Sequence, residues 1–309
     1  MKIAFFGTAD FAVPGLTALV EAGHDITAVI TQPDRKGGRG MRMRQSPVKE
    51  CAAKLLPGLA PFQPDSLKSA EAEKYFSRPN FAPDLMVVIA YGKLLPKKIF
   101  SKPRFTAINI HGSLLPEYRG AAPVQRAVMD GKRVTGVTSM FLEEKLDAGD
   151  IIMSRNCVIG VDETAGELYS RLADVGALLL LDTVDAIEED FSGVQRIRQD
   201  ERSASYAPPI QKQERIIDFS KSAAEVAAKI KGLSPDYGAS FTIAGFDLKA
   251  YRARAVDADF AAPVGTPAAD PESGIYVKCG SGVVNITEVQ EPGKKRVSAV
   301  EFLRGHRLI

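Results

Sequence analysis

An amide and an imidazole stand two residues apart at the end of an apolar stretch, Phe105 to Ile110, which we predict to be a buried strand. Side chains along a strand alternate between its two faces, so Asn109 and His111 lie on the same face. An amide donates a hydrogen bond to an oxyanion, and an imidazole shuttles a proton or holds positive charge beside it. The pair therefore predicts a site for chemistry at a carbonyl carbon.

A downstream acidic pair is a candidate partner for the imidazole. Asp147 and Asp150 border a glycine turn that leads into another apolar run. A carboxylate beside His111 would orient its ring, although carboxylates in such turns more often stabilise the turn itself. Ser113 offers a rival, a hydrolase triad with His111 and Asp147. We discount it because Ser113 is not on a Gly-x-Ser-x-Gly elbow and stands too close to its base on a strand end.

A second candidate site is a basic loop over residues 34–46, which follows the second predicted strand. One acidic residue, Asp34, opposes five cations that stand among glycines: Arg35, Lys36, Arg39, Arg42 and Arg44. A solvated basic loop is common and often has no function. Five cations at the active-site edge of a parallel sheet fit contacts with a phosphate backbone better. We therefore predict that this loop contacts nucleic acid.

Short apolar runs that alternate with helical patterns must position these residues. We predict strands over residues 3–6, 26–31, 85–90, 107–110, 134–141 and 150–155, and helices over 11–22, 48–55 and 165–189. Because the strands are apolar on both faces, this order indicates α/β architecture, a Rossmann-like parallel sheet covered by helices. The turn after the first strand has Gly7 but lacks the further glycines of a dinucleotide fingerprint, so we do not expect NAD.

The sequence changes character after residue 190. Residues 192–205 are polar and irregular and lead into Pro208 and Pro209, which indicates a linker. A predicted helix over 220–233 is followed by short alternating strands over 239–243, 246–254, 274–279 and 283–290, a spacing typical of a small β-barrel. We predict a catalytic domain over residues 1–190, a linker over 191–208 and a barrel over 209–309.

Bulk composition bounds the class of protein. The chain of 309 residues carries a net charge of +2, so any nucleic-acid surface must come from local clustering. Its three cysteines are far apart and lack metal-ligand spacing, which favours a reducing cytoplasm and no metal site. No apolar run approaches the roughly 20 residues of a membrane helix, and we find no secretion signal. We expect a cytoplasmic monomer that needs no membrane, metal or redox cofactor.

The motif Asn-x-His-Gly-Ser-Leu-Leu-Pro with a downstream Leu-Asp-x-Gly-Asp resembles the folate-dependent formyltransferase superfamily. That family moves a formyl group from 10-formyltetrahydrofolate to an amine. The resemblance implies that Asn109, His111 and Asp147 form the catalytic trio. It also implies a folate site lined by Ser113, Leu114, Leu115 and Pro116.

Further motifs narrow the resemblance to members that formylate methionyl initiator tRNA. These motifs are the run from Arg119 to Arg126 and the run from Thr31 to Arg35, with its basic continuation. In such members the basic insertion enters the tRNA acceptor stem, which makes Arg39 the best single residue for that contact. Their second domain is an OB-like barrel that binds tRNA. The resemblance thus implies N-formylation of initiator methionyl-tRNA with 10-formyltetrahydrofolate as donor.

Three alternatives stay open at this point. A sugar-nucleotide formyltransferase acts on a 4-amino sugar with the same donor, and a formyltetrahydrofolate hydrolase uses water as acceptor. A catalytically silent RNA-binding protein would share the fold without the reaction. The basic loop and the C-terminal barrel argue against the first two alternatives, and the intact catalytic trio argues against the third.

Overall fold

The structure is a computed structural model that describes residues 1–37, 42–258, 260–270, 272–306 and 308. Its backbone contacts divide the chain into two compact units. The first unit comprises Met1–Ala121, Gly136–Cys157 and Ser170–Tyr206, and the second comprises Ala122–Thr135, Val158–Tyr169 and Ala207–Ile309. The domain boundaries at residues 190 and 208 stay a prediction.

The strands and helices are numbered separately in chain order. The strands are β1 (Lys2–Gly7), β2 (Asp25–Ile30), β3 (Arg35–Gly37), β4 (Arg42–Arg44), β5 (Leu85–Ile89), β6 (Thr106–His111), β7 (Arg119–Gly120), β8 (Val134–Phe141), β9 (Ile151–Val158), β10 (Tyr206–Ala207), β11 (Ala239–Ile243), β12 (Phe246–Val256), β13 (Pro267–Asp270), β14 (Gly274–Lys278), β15 (Val283–Gln290) and β16 (Arg296–Ser298). The helices are α1 (Val13–Glu21), α2 (Pro47–Leu55), α3 (Ala70–Ser77), α4 (Lys97–Phe100), α5 (Pro123–Met129), α6 (Ala165–Asp190), α7 (Ala223–Gly232) and α8 (Ala299–Gly305).

The first unit is built on a sheet with the strand order β2-β1-β5-β6-β8-β9. The first four of these strands pair in parallel, and β8 then runs antiparallel to β6, so the sheet is mixed. All five residues of β5 are buried, because helices and loops cover both faces of the sheet. The predicted α/β class is confirmed. Since β5 and β6 are parallel neighbours, their carboxyl ends meet at one edge, which is where α/β sheets bind ligands.

The second unit contains an antiparallel sheet with the order β11-β12-β15-β14-β13, and β16 pairs with β15. Helix α7 begins at a capping box in which Ser222 and Glu225 exchange hydrogen bonds. Its apolar face, with Val226 and Ile230, joins the buried core of this sheet. The predicted C-terminal domain of short strands is confirmed as an antiparallel sheet of six strands, and its closure into an OB-like barrel stays a prediction. No helix in the described part of the chain is long and apolar enough to span a bilayer.

The basic segment differs from the predicted loop. Its two arms, β3 and β4, pair antiparallel, with Arg35 opposite Arg44 and Lys36 opposite Met43. Gly38, Arg39 and Gly40 lie outside the described residues. The segment is therefore a two-stranded ribbon along its described length, because each arm satisfies backbone groups that a loop would leave to water.

Candidate active site

Asn109 and His111 lie at the carboxyl end of β6, the strand between β5 and β8. Asn109 stands opposite Val88 of β5 and Met140 of β8, and His111 stands opposite Thr138. The Asn109 side chain is half-buried, and its amide makes no hydrogen bond to any residue that the structure describes. Its donors are therefore available to a ligand at this edge of the sheet.

The ring of His111 is buried and faces an acceptor at each nitrogen. Nε2 lies 2.9 Å from the Tyr118 carbonyl oxygen, and Nδ1 lies 3.6 Å from Oδ2 of Asp147. A carbonyl oxygen can only accept, so Nε2 carries a proton in this hydrogen bond. A second proton, on Nδ1, would face the carboxylate. Because both ring nitrogens face groups of the protein, neither is turned toward an external proton donor or acceptor.

Of the two downstream acids, Asp147 is the one that reaches His111. Its Oδ2 also accepts a hydrogen bond of 2.8 Å from the backbone N–H of Gly120, and its φ is 49°, in the left-handed region. Asp150 instead contributes its backbone carbonyl, which accepts from the Phe141 N–H at 3.0 Å. A side chain at Gly149 would collide with the Phe141 carbonyl oxygen, so the motif requires glycine there to let two backbones approach.

The hydroxyl of Ser113 takes no part in a triad. Its Oγ donates to the Glu117 carbonyl oxygen at 2.6 Å, and the residue is fully buried. Thr138 fixes the same loop, because its Oγ1 donates to the Ser113 carbonyl oxygen at 2.7 Å and accepts from the Leu115 N–H at 3.1 Å. With Ser113 committed to its own loop and both nitrogens of His111 facing other acceptors, the hydrolase alternative loses its nucleophile–base pair.

The other predicted folate residues lie in this same loop. Leu115 is buried, whereas Leu114 and Pro116 are half-buried. A side chain at Gly136 would strike both Leu114 and the Arg155 backbone, so Leu114 packs closely against β8. The assignment of these residues to the donor stays a prediction.

A buried arginine and its partners from the stretch predicted as linker support this edge of the sheet. The guanidinium of Arg119 is fully buried and donates from Nε and Nη2 to Oε1 of Gln199, at 3.0 and 2.8 Å. Nη2 also reaches Oε1 of Glu201 at 3.0 Å, and Lys145 contacts the other Glu201 oxygen at 2.6 Å. The hydrogen bonds from Arg119 and Lys145 lower the pKa of Glu201 to about 2. Gln199 and Glu201 fall in the polar stretch predicted as linker, where local pattern carries no sign of a buried contact.

The basic ribbon is fixed at its base and exposed along its arms. Lys36, Arg42 and Arg44 are exposed, whereas Arg35 is exposed but also donates to Oε1 of Gln32. These four cations lie on the ribbon, and Arg39 is outside the described residues. Among the residues that the structure describes, no hydrogen bond or ion pair links the ribbon arms to His111.

Asp34 anchors the first arm of the ribbon. Its carboxylate accepts from Lys49 Nζ and from Gln63 Nε2, each at 2.7 Å. The hydrogen bonds from Gln63 and Lys49 lower the pKa of Asp34. The one acidic residue of the segment is therefore satisfied internally, and it leaves the cations of the arms to solvent.

Comparisons with known proteins match both parts of the chain to formyl transferases. Residues 1–184 match the family described as formyl transferase, and residues 209–307 match the formyl transferase C-terminal domain. The methionyl-tRNA formyltransferase of Methylococcus capsulatus is 43% identical over 308 residues, which cover 100% of this chain and 98% of that protein.

Two solved structures are similar in fold. An N-formyltransferase from Helicobacter canadensis, solved with folinic acid and dTDP-3-aminofucose, gives a TM-score of 0.70 at 18% identity over 93% of this chain and 98% of its own. HypX from Aquifex aeolicus, solved with tetrahydrofolic acid, gives a TM-score of 0.65 at 19% identity over 98% of this chain. The chain spans about half of HypX, 47% of its length.

Proposed function

The chain belongs to the formyl transferase family, and on this basis we propose that it transfers the formyl group of 10-formyltetrahydrofolate to the α-amine of methionine on initiator methionyl-tRNA. The similarity to the Methylococcus methionyl-tRNA formyltransferase carries this proposal, because it extends over 100% of the chain and so includes the basic segment and the C-terminal unit. The sugar-acting neighbour is only 18% identical, and that likeness supports the fold alone.

The proposed reaction is an acyl transfer through a tetrahedral oxyanion. The lone pair of the methionine amine attacks the formyl carbon, and the π electrons of the C=O bond move to oxygen. Asn109 donates to this oxyanion, and His111 holds positive charge beside it with Asp147 behind; one well-placed donor contributes about 3 kcal/mol. When the C=O bond re-forms, the bond to N10 of the folate breaks. The attacking amine loses one proton and N10 gains one, so formylmethionyl-tRNA and tetrahydrofolate leave.

The two substrates call for different surfaces. We assign the loop of Ser113, Leu114, Leu115 and Pro116 to the folate donor, since it adjoins the catalytic residues in sequence and is rigidly hydrogen-bonded. We assign the cations Arg35, Lys36, Arg39, Arg42 and Arg44, together with the C-terminal unit, to the phosphates of the tRNA. Because aminoacyl-tRNA is made and used in the cytoplasm, we place the enzyme there.

A direct assay tests the proposal. The purified chain is incubated with 10-formyltetrahydrofolate and methionyl initiator tRNA, with elongator methionyl-tRNA and a dTDP-amino sugar in parallel, and the formylated products are counted. We expect formylmethionine from the initiator alone. The assignment of the acceptor would be overturned if the amino sugar were formylated or if neither tRNA were.

A further inference from the structure

The stretch that follows α6, residues 197–205, is hydrogen-bonded to the loops of the catalytic site along its length. Ile197 and Ile151 exchange backbone hydrogen bonds of 2.8 and 2.9 Å. At the other end, the Ser205 N–H donates to the Pro116 carbonyl at 3.2 Å, and the Ser205 carbonyl accepts from the Arg119 N–H at 2.9 Å. We propose that this 197–205 segment is a positioning element, an inference that rests on the catalytic trio of the proposed function. The segment orients His111 because it holds the two groups that face the ring nitrogens, the Tyr118 carbonyl and the Asp147 carboxylate.

Gln199 holds the first acceptor, Asp147. Its side chain is buried, and Nε2 donates to the backbone carbonyls of Asp147 at 2.9 Å and Gly149 at 2.7 Å. Its Oε1 accepts both hydrogen bonds from Arg119. Both polar atoms of the amide therefore make hydrogen bonds. Through them the backbone of the turn that carries the Asp147 carboxylate is held in place.

Ser205 holds the second acceptor, Tyr118. Its Oγ accepts a hydrogen bond of 2.9 Å from the Tyr118 N–H, while the Tyr118 carbonyl accepts from Nε2 of His111. The two groups that flank the imidazole are therefore tied to one continuous stretch of chain, six residues apart along it.

The backbone of both acceptor residues needs such support. Asp147 and Tyr118 have φ values of 49° and 60°, in the left-handed region that is unfavourable for residues with a Cβ atom. Strained conformations persist only where their surroundings hold them in place. Gln199 and Ser205 supply that restraint, so loss of either would let an acceptor relax away from the ring.

Kinetics of variants test the role of Gln199. Gln199→Ala removes the amide, and Gln199→Glu keeps an acceptor for Arg119 but cannot donate to the two carbonyls when ionised. We expect kcat to fall about 10- to 100-fold in both, with KM for folate and tRNA within about threefold, because misplacement of a catalytic group acts mainly on turnover. Arg202→Ala is the matched control, since Arg202 lies in the same segment but is exposed and its side chain pairs with Asp200. An unchanged kcat in Gln199→Glu would overturn the proposal.

A double-mutant cycle separates positioning from general loss of structure. If Gln199 acts through Asp147, adding Gln199→Ala to Asp147→Ala should lower kcat less than about threefold further, because the two residues act as a unit. Multiplication of the two single effects would contradict the proposal.

The imidazole itself gives a readout that needs no substrate. The chain has three histidines, so the ring nitrogens of His111 can be assigned by NMR with a His111→Gln variant. Gln199→Ala should move the ¹⁵N shifts of His111 in the direction that Asp147→Asn moves them, and Arg202→Ala should not. Unmoved shifts would overturn the positioning role. Should the chain fail to formylate methionyl-tRNA, the proposed function fails, and these shifts still decide the role of the 197–205 segment.

Discussion

At the scale of single residues, Asn109 differs from its two partners in one respect. His111 and Asp147 are each engaged by the protein, whereas the Asn109 amide has no hydrogen-bond partner among the described residues. A donor that is held on a strand and bonded to no described protein group breaks no internal hydrogen bond when an oxyanion forms. Asn109 is therefore the residue whose contribution should appear in the transition state alone.

We expect Asn109→Ala to lower kcat by about 100- to 1,000-fold, as loss of one oxyanion donor does elsewhere. The dissociation constants for folate and tRNA should change little, because the ground-state substrates do not depend on this bond. Single-turnover kinetics and equilibrium binding measure the two effects separately. Asn156→Ala, an exposed asparagine of β9, is the control. A loss carried by weaker binding would contradict the assignment of Asn109 to the oxyanion.

The catalytic candidates could be predicted from sequence because their signal is local. Asn109 and His111 alternate on one strand, and a strand end in an α/β sheet is a favourable place for a site. Gln199 and Arg119 could not be predicted in the same way, since their contact joins residues 80 positions apart. The role of a buried amide such as Gln199 can be recognised only from the fold, which brings the Arg119 guanidinium to it.

At the scale of elements, the helices and strands with a clear apolar pattern are predicted closely, and several short elements that lack one are not. The predicted helix over 165–189 is α6, at Ala165–Asp190. The ribbon was predicted as a loop, because three-residue arms of charged residues carry no apolar alternation. Helix α5 is not predicted either. It has only seven residues, too few for its buried positions to form a clear helical repeat.

The packing of α5 against α7 gives an element-scale prediction. Both helices belong to the second unit, and a Cβ added at Gly232 would lie 2.9 Å from the Gln125 carbonyl and 3.0 Å from the Met129 nitrogen. Alanine normally stabilises a helix relative to glycine by up to about 1 kcal/mol. Here we expect Gly232→Ala to lower the free energy of unfolding by about 1–3 kcal/mol, because backbone atoms cannot move aside as side chains do.

Gly305→Ala is the matched control, because Gly305 also ends a helix and nothing lies within 4 Å of its Cβ position. Urea denaturation should show that variant as stable as the parent chain or slightly more so. Equal behaviour of the two variants would show that the close approach of α5 and α7 contributes no restraint.

At the scale of the whole molecule, charge is nearly balanced, with 40 basic and 38 acidic residues. Long-range attraction cannot then bring a polyanion to the protein, and phosphate binding must depend on where cations cluster. The ribbon concentrates exposed cations, while its one acid, Asp34, is paired with Lys49 at the base. Binding of tRNA should accordingly weaken as salt rises, through counterions released by these few residues.

We expect the double variant Arg42→Gln with Arg44→Gln to weaken tRNA binding and to make the slope of log Kd against log salt concentration shallower by about 1.5, since each phosphate contact contributes about 0.7 to 0.9. Lys68→Gln with Lys74→Gln removes the same charge from two exposed sites, one before α3 and one within it, and is the control. If affinity depended on net charge, both pairs would change the slope equally. In both double variants, formyl transfer from the folate to a small amine acceptor should stay unchanged. A shallower slope confined to the ribbon variant would assign the phosphate contacts to the ribbon.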